Sequence, residues 1–200
     1  MQFKVISLGL ILTIILIISI IYFVWLPSIS GNQLTDFHLT RHSGEAFTLA
    51  NLKGKWSFMF FGYTHCPDIC PVTLTLLHAV KQKLALHPEY LTDTQYIFVS
   101  VDGQRDTPEK LAEYVKYFDP QLIGVSGTEQ QVNVLTRQLG IVYIRQPEIT
   151  AGQYFIDHSA TIVLINPRGE IAEQFIAPHA VATIVERYSK IRQQLIKESS

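Results

Sequence analysis

WSFMFFGYTHCPDICPVTLTLLHAVKQKL, residues 56–84, contains the transition from which the architecture follows. Trp56 to Gly62 is a short, almost unbroken apolar run rich in aromatics, the pattern of a central strand buried on both faces. The segment YTHCPDICP has no periodicity and reads as a loop that turns into a helix. Pro71 suits the first turn of that helix. Leu77, Val80 and Leu84 then recur at helical spacing until Pro88 stops it. A buried strand feeding an amphipathic helix is the opening of a βαβ unit.

Outward from this stretch the alternation continues. YIFVSVD is a second buried strand ending at Asp102. Thr107-Pro108-Glu109 reads as a helix start, with a cap, an N1 proline and an acid favourable to the dipole. That helix is expected to reach about Phe118, before Asp119-Pro120. Leu122 to Val125 is a short strand, and Glu129 to Leu139 a helix closed by Gly140. IVYI, QYFI and ATIVLI follow as strands, then the turn Asn166-Pro167-Arg168-Gly169 and the strand EIAEQFI. The last helix carries Val181, Ile184, Val185, Tyr188, Ile191 and Leu195 on one face. On the other side of residue 56, Lys53-Gly54-Lys55 is a turn. DFHLT and EAFTL, separated by Ser43-Gly44, read as a small hairpin. The fold class is α/β with a central sheet.

Of the 200 residues, Val5 to Leu26 contain no ionisable side chain except Tyr22. A helix of that length spans a bilayer's hydrocarbon core, with Tyr22, Phe23 and Trp25 near one interface. Lys4 and the amino terminus are the nearby positive charges, and the next Lys or Arg is Arg41. The positive-inside rule then keeps residues 1–4 cytoplasmic and sends the remainder outward. We expect an uncleaved signal anchor over 5–26 and a linker over 27–33, with one domain over 34–200. The location expected is a bacterial inner membrane, crossed once, with the domain facing the periplasm. The alternative is a cleaved signal peptide, suggested by Ser28-Ile29-Ser30 before Gly31, but its apolar region would be unusually long. The formal charge of −1 gives no electrostatic footprint for nucleic acid.

The chain has two cysteines, Cys66 and Cys70, which excludes a disulfide-rich scaffold and a four-cysteine zinc site. Both lie where free backbone N–H groups and the positive end of a helix favour thiolates. Pro67 and Pro71 stiffen the loop so that both sulfurs face one point. Three intervening residues give a wider bite than Cys-x-x-Cys, suited to clamping an ion while still permitting a disulfide. A purely stabilising bridge is the bland alternative, but so short a loop would constrain the unfolded chain little. Soft thiolates select Cu(I), and an added imidazole also accommodates Cu(II). Seven histidines are available. His38, His42, His65, His78, His87 and His179 read as solvated or capping residues. His158 stands apart, in a turn at the end of a strand where functional residues gather; on this ground alone a ligand role and a structural role are both open.

FFGYTHCPDICP, VSVDGQRDTPEKLAEYV and DHSATIVLINPRGE, in that order behind one anchor helix, closely resemble the SCO/SenC family of copper proteins. The resemblance covers roughly Leu34 to Tyr188. It implies a thioredoxin-like fold, here with an added N-terminal β-hairpin and preceded by the membrane helix. It also implies copper, as Cu(I) or Cu(II), held by Cys66, Cys70 and His158. The implied role is copper delivery to, or thiol reduction of, the copper centre of cytochrome c oxidase subunit II during assembly. Neither the upstream copper donor nor the thiol reductant is indicated, and a monomer is expected.

Around this set, Asp102 is a candidate to hydrogen-bond near Cys66 or to serve a turn, and Asp157 to orient His158 or to hold its turn. Arg105 and Asp106 are expected to form a local ion pair, and Asp68 to be a solvated loop residue. Three functions compete: a copper metallochaperone, a thiol–disulfide oxidoreductase using Cys66 and Cys70 as its redox pair, and a peroxiredoxin-like peroxidase. The peroxidase ranks last: Thr64 lies near Cys66, but the upstream proline is missing and the second cysteine is unusual. The other two share one pair of sulfurs, and a distal imidazole favours the chaperone.

Overall fold

The computed structural model describes residues 32–198. The membrane span expected over 5–26 and residues 27–31 of the expected linker lie outside the described residues, among which no helix is long and apolar enough to cross a membrane. The hairpin β1 (His38–Arg41) and β2 (Ala46–Thr48) turns through Ser43-Gly44 as anticipated. After it come β3 (Trp56–Gly62), α1 (Ile69–Leu84), the single turn α2 (Pro88–Leu91), β4 (Thr94–Ser100), α3 (Pro108–Phe118), β5 (Ile123–Ser126) and α4 (Glu129–Gln138). A ribbon of β6 (Tyr143–Arg145) and β7 (Ile156–His158) precedes β8 (Ile162–Ile165), β9 (Ile171–Phe175) and α5 (Val181–Glu198).

Seven strands form one sheet in the order β2-β1-β5-β4-β3-β8-β9. β3, β4 and β5 are mutually parallel, whereas β8 and β9 run antiparallel to their neighbours. The hairpin is part of this sheet, because β1 pairs antiparallel with β5. β6 and β7 pair only with each other.

The apolar run of β3 is explained by its two faces. Trp56, Phe58 and Phe60 pack with Leu74, Leu77, Val80, Leu111, Ile184 and Tyr188 of α1, α3 and α5. Met59 and Phe61 face the other way, toward Val132 and Leu135 of α4 and Phe37, Leu39 and Phe47 of the hairpin region. Each such aromatic, removed wholly from water, contributes about 1.5–3 kcal/mol. β4 repeats the alternation, with Phe98 on the first side and Ile97 and Val99 on the second.

Helix ends follow their sequence signals. The Thr107 hydroxyl accepts from Lys110 N–H ahead of Pro108, and Thr128 and Gln131 form a reciprocal capping box on α4. Gly140, at φ +64°, reverses the chain after α4. The Ile141 N–H then reaches back to the Thr136 carbonyl, so pairing of β6 starts only at Tyr143 rather than at Ile141. Pro88 does end the long helix, but it also starts the single turn α2, which buries Tyr90.

One expectation changes in a way that matters for function. The strand anticipated at QYFI begins later, at Ile156, so His158 is the last strand residue rather than part of a turn. Tyr154 is drawn into the core and held by side chains of another loop, while beside it the Phe155 carbonyl still accepts from Gln146 N–H. At the start of the described chain, Asn32 and Gln33, counted above as linker, already lie along the sheet: the Asn32 carbonyl accepts from Ile171 N–H, and Gln33 bridges Glu170.

Candidate metal centre

The centre begins where β3 stops. Gly62 ends the strand against the first turn of α1, and a β-carbon there would fall closer than 3.0 Å to Cys70 Sγ. Only glycine lets the helix start approach this near. Cys70, in the first turn of α1, is fully buried, while Cys66, in the loop, is half-buried. The loop is pinned by a backbone bond from Cys66 N–H to the Tyr63 carbonyl. Neither sulfur is in a disulfide.

His158 arrives from the far end of the sequence on β7, opposite Tyr143 of β6. Its Nε2 lies 3.2 Å from Cys70 Sγ and 3.8 Å from Cys66 Sγ. The three ligand-type atoms all fall within 4.8 Å of one another. Phe60 and Tyr63 flank the imidazole edge-on, each with its ring centroid 5.9 Å away. Nδ1 sits 3.1 Å from the Ser159 carbonyl. A carbonyl only accepts, so Nδ1 carries the proton and leaves the Nε2 lone pair facing the sulfurs.

The two thiols share one proton unequally. The Cys70 thiol hydrogen-bonds to Cys66 and is the largest cause of the Cys66 pKa falling to about 4, against a penalty from burial. The backbone N–H groups of Asp68 and Cys70 reinforce the effect. Cys70 moves the other way, raised by its bond to Cys66 and by burial. Two thiolates and an imidazole at this spacing are a soft donor set that suits copper. A structural zinc site takes four protein ligands, whereas this group offers three.

The SCO1/SenC family model matches residues 30–193. The chain belongs to this family. Among SCO relatives, the mitochondrial SCO2 homolog of Mus musculus is 38% identical over 151 residues, covering 76% of this chain and 59% of that protein. The mitochondrial SCO1 homolog of Homo sapiens is 37% identical over 139 residues, covering 70% and 46%. The chain therefore spans about half the length of the curated relatives it matches. Among solved structures, Arabidopsis thaliana ScoI with copper bound has a TM-score of 0.74 at 34% identity, covering 80% of this chain and 98% of that one. Yeast Sco1 with copper bound has a TM-score of 0.73 at 31% identity, covering 80% and 87%. The described domain of this SCO1/SenC member has their α/β thioredoxin-like fold.

Other residues singled out in the sequence lie differently from expectation. Arg105 and Asp106 do not pair with each other. Arg105 Nε donates to Asp102 at 2.5 Å, and Asp106, almost fully buried, accepts from Ser100 Oγ, Thr64 Oγ1 and Thr64 N–H. Adjacent side chains diverge here, one toward the ribbon and one beneath the cysteine loop. Asp102 therefore binds Arg105 and the Tyr154 hydroxyl rather than Cys66. Asp157 does not orient His158, because its carboxylate takes Gln146 while the Ser159 carbonyl holds the ring. Thr64 donates its hydroxyl to Asp106 at 2.6 Å. The sequence reading missed Tyr154, whose signal was an aromatic just before a metal-site strand, and Ser159, whose contribution is a backbone carbonyl with no side-chain signal.

Proposed function

We propose that this chain is a membrane-anchored copper metallochaperone that binds copper through Cys66, Cys70 and His158. Its target is the copper centre of cytochrome c oxidase subunit II, which it loads or maintains during assembly. The observation that carries the reading is the approach of His158 Nε2 to both sulfurs, across 88 residues from Cys70. A dithiol exchanging with disulfides has little use for a distal imidazole with its lone pair turned inward. Copper-bound relatives of similar fold and the family resemblance support the same assignment. The anchor is residues 5–26, in a bacterial inner membrane, with the domain on the periplasmic side.

Copper is the cargo. The two thiolates hold Cu(I), and the imidazole completes a site that also accepts Cu(II). Binding displaces the proton the thiols share, and oxidation to a disulfide removes both sulfur ligands. The same pair supports a second reading as a thiol–disulfide oxidoreductase, favoured by the depressed Cys66 pKa. The chain, reduced and offered Cu(I), Cu(II) and Zn(II) in competition, should retain about one equivalent of copper, and none of Cu(I) after oxidation. Equal Cu(I) binding by the oxidised and reduced chain would overturn the assignment.

A further inference from the structure

His158 stands on a ribbon that shares no ladder with the main sheet, whereas both cysteines stand where β3 meets α1. Something other than strand pairing sets the distance between imidazole and sulfurs. Tyr154 and Ile156 seat the ribbon in the core, but apolar burial is non-directional and fixes depth better than orientation. Between the ribbon, the segment after Val101 and the start of α4 lies a cavity of about 450 Å³, lined by Asp102, Gln104, Arg145, Tyr154 and Ile156 among others.

Tyr143, opposite His158, donates its hydroxyl to Asn133 of α4 at 3.1 Å, and the densest set of directional contacts comes from the five residues that follow Val101. Arg105 lies over the Tyr154 ring, 3.5 Å from its centroid. Its Nη1 donates to the Tyr154 carbonyl at 2.9 Å, and its Nε to Asp102 at 2.5 Å. The Tyr154 hydroxyl closes the loop by donating to the other oxygen of Asp102 at 2.6 Å. Arg145, the last residue of β6, lies 3.7 Å from the same ring centroid and donates to Gln104 at 3.0 Å. Two guanidiniums cannot occupy one face, so the ring is held from both sides. One residue further on, Asp106 grips the opposite half of the centre, accepting from Thr64 N–H at 2.9 Å and Thr64 Oγ1 at 2.6 Å.

We propose that the segment Asp102–Asp106 is a clasp that fixes the spacing of the two halves of the copper site, with Arg105 the positioning residue for His158. Asp106 holds the cysteine loop; Arg105 and Asp102 hold the ribbon. The inference rests on the copper-site reading above and assigns Arg105 no contact with the metal.

Arg105→Lys keeps the charge opposite Asp102 but loses the planar fork that stacks on Tyr154 and bonds its carbonyl. In the full chain it should weaken Cu(II) binding by about 10–100-fold, the usual range for partners that orient a ligand. The nitrogen hyperfine signal of the imidazole in the Cu(II) resonance spectrum should broaden or vanish. Cu(I) affinity, carried by two thiolates, should stay close to the parent's. Tyr154→Phe removes only the hydroxyl bond to Asp102 and should shift Cu(II) affinity the same way by less. It decides the matter alone if Arg105→Lys fails to fold. A parallel fall in Cu(I) affinity, Cu(II) affinity and Tm, or no change in any of them, would show Arg105 to be merely structural and overturn the clasp. His158→Ala, measured alongside, separates the two readings. A parent-like Cu(II) affinity and nitrogen signal in that variant removes the copper site itself and the clasp with it, whereas their loss there but not in Arg105→Lys removes only the clasp.

Discussion

Gly62→Ala tests how closely the strand end and helix start must meet. The new methyl would sit closer than 3.0 Å to Cys70 Sγ and 3.1 Å from Phe98 Cε2. Unstrained non-bonded heavy atoms stay about 3.5–4.0 Å apart, so one of them must recede by roughly 1 Å. Phe98 is fully buried between Phe60 and Tyr114 and has nowhere to go. The sulfur or the first turn of α1 yields instead. Overpacking of this kind costs about 1–3 kcal/mol, or some 2–12 °C in Tm for a domain of this size. The effect on copper should be larger than the effect on the fold, because metal–ligand distances tolerate only about 0.2 Å. Both Cu(I) and Cu(II) affinities should collapse while circular dichroism and the count of two titratable thiols stay as in the parent. A variant that folds with unchanged Tm and binds copper like the parent would refute the close-approach argument.

Cys66 should alkylate with iodoacetamide in the reduced, copper-free chain at a rate nearly flat from pH 6 to 9, because a thiol with its pKa near 4 is ionised throughout. A steep rise from pH 6 to 8, about tenfold per unit as for an ordinary thiol with its pKa near 8.5, would contradict it. Thr64→Val removes one hydrogen bond to the buried Asp106 carboxylate and should lower stability by about 1.5–3 kcal/mol in denaturant titration. It should leave peroxide consumption at the parent's level, and loss of a fast peroxidase reaction would restore that reading. A reporter fused after Ser200 that is active only outside the cytoplasm should be active; activity of a cytoplasmic reporter instead would reverse the topology.

What could be read from the sequence and what could not divides along physical lines. β3 was legible to the residue, since a strand buried on both faces leaves no polar alternation to misread. The starts of α3 and α4 were legible because capping is local chemistry. The ribbon was not. Tyr154 meets Arg105 and Asp102, partners 49 and 52 residues away with no local signature. Cys66 and Cys70 announce themselves by spacing. His158 stood out by its place at a strand end, but its ligand role came only through the family resemblance, because three-dimensional closure of β7 onto α1 is not encoded in any short window. The misread pair, Arg105 and Asp106, shows why adjacency is a poor guide to ion pairing. Consecutive side chains in a turn point to different places.

The two margins of the sheet have a consequence for how this domain behaves among copies of itself. An unpaired strand margin is a template on which another chain can add. At one margin β2 is only three residues long and turns at once into the 3₁₀ segment Leu49–Asn51, too brief a template to recruit a neighbour. At the other, β9 is shielded at its start by its own chain, through Asn32, Gln33 and the Leu34 N–H bond to the Gly169 carbonyl. A proteolytic cut that removed residues up to 34 would thus leave the metal centre and all of the core but Leu34 in place. It would nonetheless uncover the outer backbone groups around Gly169 to Ile171 and convert a self-limiting sheet into one able to grow by strand addition.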